Sequence, residues 1–231
     1  MIDLLPVWEK LAKQIIWKQI EELKGKTVLD FGSGTGITAD HFAADNTVIA
    51  VEPSEEMLAK QVNTNGYQQI IGSTEVLKKL ANESFDYIFC HNVLEYADDR
   101  EIIVREFYRL LKPNGKPSIV KHNRNGRVMQ MVVLLNNFEE ATNLLNGCNS
   151  QAQQFGTINY YDNCDISNWC SGLVLQQTYG LRTFWDLQQN QEIQKDEEWQ
   201  KKMIDIEIKV SQNSDFQKIA FFHHLIFVKR G

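Results

Sequence analysis

Ten residues, Thr27 to Gly36 (TVLDFGSGTG), hold the densest chemical signal in this sequence. An apolar run ends in Asp30 and breaks into glycines at alternate positions, Gly32, Gly34 and Gly36. Glycine tolerates positive φ and has no side chain, so such a loop brings bare backbone amides against a ligand. An ordinary strand-to-helix turn needs one glycine, not three. The next apolar run, TVIAVE, ends in Glu52, twenty residues after Gly32. A carboxylate at that distance, on the tip of the neighbouring strand, is placed to accept hydrogen bonds from both hydroxyls of a ribose. Loop and acid together predict a nucleoside site.

The identity of the nucleoside follows from what the loop lacks. A dinucleotide fingerprint needs G-x-G-x-x-G, and Ile37 stands at its third glycine. A P-loop needs G-K-[ST], and the chain reads Gly36-Ile37-Thr38, with no lysine for a triphosphate. Asp30 would repel a phosphate and suits a ligand that carries positive charge. The order acid-x-G-x-G-x-G with a distal acid resembles the S-adenosylmethionine (SAM) loop of class I methyltransferases.

The surrounding elements must hold this loop in place. Apolar residues from Trp8 to Leu23 recur at helical spacing and predict a first helix over Val7–Leu23. Strands are expected at Thr27–Phe31, Thr47–Glu52, Gln68–Ile71, Phe85–Cys90 and Ser118–His122. Helices separate them, at Ile37–Ala44, Ser54–Lys60 (capped by Ser54), Thr74–Leu80 and Asp98–Leu111. A turn at Lys112-Pro113-Asn114-Gly115 closes the last of these. Such alternation is the pattern of an α/β parallel sheet wound on both faces. Beyond His122 we expect a mostly helical stretch over Gly126–Asn146, a polar loop over Cys148–Asp162 and a capped helix over Asp165–Ser171. A strand over Leu173–Thr178, a charged helix over Lys195–Val210 with Trp199, Met203 and Ile206 on one side, and a strand over Ile219–Val228 complete the chain. The resemblance implies a Rossmann-like, doubly wound seven-stranded sheet whose last strand is antiparallel. It also implies one domain over residues 1–231, with 123–172 inserted after the fifth strand as a cover for the acceptor.

Ligands of such sheets bind at the carboxyl ends of the strands. The first tip offers Asp30, Gly32, Ser33 and Gly34 for the methionine portion of SAM, and the second offers Glu52 for the ribose. Met57, one turn into the next helix, suits the adenine face. At the third tip the family usually has an acid for the adenine amine; here Ser73 replaces it, and backbone at Thr74 and Glu75 is expected to read adenine. His91 ends the fourth strand beside the sulfonium, where a neutral imidazole is tolerable and a charged one is not. An arginine that the family uses on the cofactor falls at Ala12, which leaves Lys13 as the nearest cation.

Composition narrows the function classes. The 231 residues carry a formal charge of −6, which argues against broad, sequence-independent nucleic-acid binding. Cys90, Cys148, Cys164 and Cys170 form no C-x-x-C pair and read as reduced thiols of a cytoplasmic protein. No apolar run suits a bilayer span, the first residues lack the pattern of a secretory signal, and the scattered histidines make no metal framework. An Asn/Asp-Pro-Pro-aromatic motif for planar amines is missing.

FDYIFCHNVLEYADD and RLLKPNGKPSIV are similar to the type 11 methyltransferase family. The C-terminal half resembles the bacterial tRNA methyltransferases that esterify 5-carboxymethoxyuridine at the wobble position. The matching pieces are Asn123 with Gly126, Asn137-Phe138, Gly180-Leu181-Arg182-Thr183-Phe184-Trp185-Asp186, and Phe222-His223-His224-Leu225-Ile226. His122 stands where that family has a tyrosine, and Lys121, Arg124 and Arg127 form the compact cationic cluster near the expected site. A carboxylate acceptor is already ionised at neutral pH and needs a cation rather than a base. Arg182 is the candidate for that grip, with Asn123 and Tyr161 as substrate wall. A hydroxyl or amine acceptor would instead have to lose a proton, to His122 or Tyr161. The acceptor stays open between a tRNA base and a small metabolite, and a SAM-binding module without catalysis is the reading from another class.

Overall fold

A computed structural model describes residues 5–20, 23–152 and 156–230. Helix α1 (Val7–Gln19) leads into β1 (Thr27–Phe31), α2 (Ile37–Ala43), β2 (Thr47–Glu52), α3 (Glu55–Leu58) and β3 (Gln68–Ile71). Then come α4 (Thr74–Leu77), β4 (Phe85–His91), α5 (Arg100–Leu110) and β5 (Leu111–His122). The insertion holds α6 (Arg124–Val133), α7 (Phe138–Leu145), a hairpin of β6 (Ser150–Ala152) and β7 (Gly156–Ile158), and α8 (Asp165–Trp169). The chain closes with β8 (Leu173–Leu181), α9 (Glu197–Val210), α10 (Ser214–Gln217) and β9 (Phe222–Lys229).

Seven strands form one sheet in the order β3-β2-β1-β4-β5-β9-β8. The first five pair in parallel, and β9 pairs antiparallel with both β5 and β8. The last strand therefore enters between β5 and β8, and the carboxyl ends of β1 to β5 and β8 share one edge with the start of β9. Alternate residues of each central strand sort onto opposite faces. Leu29, Ile88 and Cys90 pack with Leu77, Ile103 and Phe107 of α4 and α5. Val28, Tyr87 and Phe89 pack with Leu11, Ile15 and Phe42 of α1 and α2, and with Ile204 of α9. Covering both faces is what the strands' near-continuous apolar runs require.

Some expected elements change. Helix α1 stops at Gln19, where Ile20 turns extended at φ −82°, ψ 134°; the expected end at Leu23 runs across residues 21–22, which lie outside the described ones. The turn at Lys112–Gly115 is absorbed into β5: Phe85 pairs with Leu111 and Tyr87 with Lys116, so the extra residues bulge, with Asn114 at φ 63°. The polar stretch after Cys148 contains the β6–β7 hairpin, held by backbone pairing that a side-chain pattern does not report. Helix α9 buries Ile204 and Glu207, while Ile206 is exposed. The apolar spacing misplaced that face because the residue on its inner stripe is charged.

Candidate active site

The loop after β1 is folded by its own backbone. The amides of Gly32 and Ser33 donate to the Val51 carbonyl at 2.8 and 3.1 Å, with Gly32 at φ 77°. A Cβ on Gly32 would strike the side chain of Val93, whereas one on Gly34 would meet nothing, so the middle of the loop faces open space. Glu52 is buried and clamps the turn: Oε2 accepts from the Gly34 amide at 2.8 Å and Oε1 from the Ser54 amide at 2.9 Å. A carboxylate has about four lone-pair directions, so two remain for ligand hydroxyls.

Asp30 is buried, and its Oδ2 has no hydrogen-bond partner. Burial pushes its carboxyl up to about 7, against the pull of the Lys13 cation. Lys13 reaches from α1 across the start of α2 and donates to Thr38 Oγ1 at 3.1 Å. A buried acid with an orphan oxygen, an open glycine and a half-satisfied carboxylate fit the cationic head and ribose diol of SAM. Half-buried Met57 donates its amide to Ser54 Oγ at 3.3 Å. At the β3 tip Thr74 is buried, and Glu75 accepts from the Ser73 amide at 2.8 Å, so this acid closes its own turn.

His91 opens a hydrogen-bonded chain that leaves the site. Its Nε2 meets Ser118 Oγ at 2.9 Å, Ser118 Oγ meets His224 Nε2 at 2.8 Å, and His224 Nδ1 meets Gln19 Oε1 at 2.8 Å. Burial, with His224 and Lys13 nearby, holds His91 well below the ordinary imidazole range, and burial lowers His224 to about 3. Both rings are neutral at physiological pH.

The other half of the edge is built around Glu95, a buried acid that no local spacing distinguishes from a solvated one. Its Oε1 lies 2.7 Å from His122 Nδ1 and accepts from the His122 amide and Asn92 Nδ2 at 3.3 Å each. Glu95 Oε2 and the Tyr161 hydroxyl are buried without partners. Tyr161 lies under the Lys121 ammonium, 4.6 Å from its ring centre; burial pushes the phenol well up and lowers Lys121 to about 8.

Three expectations shift here. Arg182, at φ 59° just past β8, is buried and ion-paired with Asp186, its guanidinium about 5 Å from the Trp8, Phe221 and Phe222 ring centres. Its Nε has no partner, and burial raises the Asp186 carboxyl. Asn123 uses its Nδ2 to tie the approach to β9, donating to Lys218 and Ala220 carbonyls at 3.0 and 2.7 Å. The cationic cluster is engaged internally. Lys121 is buried, Arg124 donates to the Leu144 and Cys148 carbonyls, and Arg127 donates to Gln130. Glu207 of α9, which sequence reading missed, accepts from the amides of Thr183, Phe184 and Trp185 at 2.8, 2.8 and 3.0 Å and so shapes the loop after β8.

Among the described residues no group of His, Cys, Asp and Glu could hold a metal, and no helix is long and apolar enough to cross a membrane. A concavity of about 670 Å³ lies on the flank between α1 and α2, around Trp17 and His41, and its lining includes none of Asp30, Gly32, Ser33, Gly34 and Glu52.

The family described as a methyltransferase domain matches residues 29–119. The ubiquinone biosynthesis O-methyltransferase of Pseudomonas putida (strain W619) is 32% identical over 120 residues, 48% of this chain and 51% of that protein. The chain thus spans about half the length of the relatives it matches. A putative methyltransferase complexed with the Haloferax volcanii Trm112 activator superposes with TM-score 0.61 at 14% identity, over 96% of this chain and 90% of that one. Phosphoethanolamine N-methyltransferase 2 of Haemonchus contortus, solved with S-adenosyl-L-methionine, gives TM-score 0.59 at 16% identity, over 97% and 56%. Residues 29–119 therefore match a methyltransferase domain, set within an α/β Rossmann-like methyltransferase fold.

Proposed function

We propose that this chain is a SAM-dependent methyltransferase with a small-molecule acceptor, a single domain over 1–231 in which residues 123–172 cover the acceptor. The observation that carries the reading is the clamp of the Gly34 amide by Glu52 at the joined tips of β1 and β2. Gly32, Ser33 and Gly34 would hold the methionine portion, Asp30 and Lys13 its charged groups, and Glu52 the ribose. Met57, Ser73 and the backbone at Thr74 and Glu75 would line adenine. When bound, SAM supplies a methyl group activated by its cationic sulfur. The task left to the protein is alignment, which can lower a barrier by about 7–11 kcal/mol. Neutral His91 adds no charge beside that sulfur.

A tRNA carboxylate acceptor requires a free guanidinium and a basic surface for phosphates. Arg182 already serves Asp186, and Lys121, Arg124 and Arg127 serve the interior of the insertion, which favours the small acceptor. Calorimetric titration with SAM, NAD and ATP tests the donor: SAM alone should bind, and a pyrophosphate ligand binding instead overturns the reading. Radiolabelled methyl transfer to total tRNA and to a small-molecule extract then separates the acceptors. SAM binding with no transfer to either supports the non-catalytic module.

A further inference from the structure

Resting on the donor reading above, we propose that His122, positioned by Glu95, is the general base of the reaction, and that the acceptor is a phenolic hydroxyl on a planar ring. Glu95 is almost wholly buried, at 1% side-chain exposure, while His122 keeps 11%. The acid is therefore the more enclosed of the two, and the imidazole is the one that reaches solvent. A carboxylate only accepts, so the 2.7 Å contact assigns a hydrogen to Nδ1, which in the neutral ring puts the lone pair on Nε2. Nε2 has no partner among the described residues. Asn92 ties the same carboxylate to the tip of β4, next to His91, so base and donor cleft share one support.

The surroundings of the ring point to the kind of acceptor. Tyr96, Phe221 and Phe222 stand around His122 with ring centres 6.2, 5.7 and 4.8 Å away. Such walls suit a flat, apolar body. The charged groups near this box are Glu95 itself, Lys121 next to it in β5, Arg127, whose charge acts on Tyr96, and Arg182, which packs on Phe221 and Phe222 and is paired with Asp186. Arg182 is engaged by Asp186 and Arg127 donates to Gln130, whereas a neutral hydroxyl gains a base from His122.

The step balances. The acceptor oxygen forms a bond to the methyl carbon, and the methyl–sulfur bond breaks with its electron pair passing to sulfur, leaving neutral S-adenosylhomocysteine. The hydroxyl proton passes to Nε2, and the imidazolium is stabilised by Glu95 until solvent takes the proton.

The test uses the full chain, radiolabelled SAM, and three probes: phenol, a nitrophenol already largely ionised at the assay pH, and benzoate. General-base catalysis contributes about 10²–10⁴-fold. His122→Gln should therefore lower kcat/KM for phenol by about 100-fold or more, and for the nitrophenol by less than about tenfold. A residue that only holds structure would lower both equally, and that result overturns the proposal. Methylation of benzoate but not phenol also overturns it, as does transfer to no probe by a chain that binds SAM. A failure of SAM binding instead removes the donor reading, so the two outcomes stay distinct. Nitrogen-15 histidine spectra of the protein without substrate give an independent readout: His122 should be protonated at Nδ1, and an Nε2-protonated ring removes the base. Glu95→Gln should fold, bind SAM and shift that tautomer equilibrium; an unchanged spectrum removes Glu95 from the assignment. SAM affinity of each variant reports whether it has folded.

Discussion

The two halves of the strand-tip edge, which we propose for the donor and for the acceptor, are assembled in different ways. On the donor side the decisive contacts are close in sequence: Gly34 and Glu52 are 18 residues apart and are joined by adjacent parallel strands. On the acceptor side they join distant parts of the chain, with Lys121 and Asn163 separated by 42 residues and Asn123 and Ala220 by 97. The donor side uses backbone amides shaped by glycine, and the acceptor side uses buried side chains. A nucleoside site can therefore persist as a short motif, while acceptor chemistry depends on the packing of the whole edge.

If that division holds, removing a buried support on the acceptor side should cost stability without touching donor affinity. Glu207→Ala is the largest expected effect. Three amides lose a buried carboxylate, and each unsatisfied donor costs about 1–3 kcal/mol, so unfolding in urea should show a loss of about 6 kcal/mol. SAM affinity of the folded variant should stay within about threefold of the parent, a margin well below one lost charged hydrogen bond. A larger drop would show that the halves are coupled, with the His91–Ser118–His224–Gln19 chain the first path to examine.

Arg182 sharpens the comparison next. Breaking a buried ion pair by removing one partner costs about 3–5 kcal/mol, while replacing both with apolar groups can be neutral. Arg182→Ala should fall in that range, and the double variant Arg182→Met with Asp186→Leu should recover most of it. If the recovered variant still transfers methyl groups, Arg182 is a strut of the aromatic wall. Transfer lost at restored stability returns it to the role of substrate grip.

On the donor side, Glu52→Ala removes a charged acceptor from ribose and from the Gly34 and Ser54 amides. A hydrogen bond to a charged group is worth about 1.5–3 kcal/mol, so the SAM dissociation constant should rise about 10- to 100-fold. Calorimetry reads this directly, and an unchanged constant would remove the ribose assignment.

The same asymmetry explains what the sequence made legible. The limits of β1, β2 and β3 agree with their apolar runs, and spacing along one βαβ unit is enough to bring Glu52 onto the glycine loop. Glu95 and Glu207 escaped because a buried acid on a helical or loop segment reads as a solvated charge until its partners are known. Arg182 lies on the expected edge, where its neighbour is Asp186. Asp186 sits four residues on, yet only the left-handed backbone at Arg182 and the loop held by Glu207 bring them together. Register supplies the rest: pairing His122 with Phe222 across β5 and β9 creates the aromatic box, and no local pattern encodes that pairing.

The smallest expected effect tests whether the donor side carries charge chemistry of its own. Asp30 is raised to about 7 in the folded protein from an ordinary 3.8. A carboxyl raised on folding binds its proton more tightly in the native state. Its contribution to stability is therefore complete below the unfolded value and is lost as pH rises through about 7. A cationic donor prefers the ionised acid, so SAM affinity should move the opposite way and increase about tenfold between pH 6 and pH 8. Proton release on binding, measured near pH 7 in two buffers of different ionisation enthalpy, is the direct signature. The α-amino group of the donor titrates in a neighbouring range, so Asp30→Asn is the necessary control. The part of the proton release that disappears in Asp30→Asn belongs to Asp30. If none disappears, the acid is not facing the donor's charge, and the donor side is held by backbone and Glu52 alone.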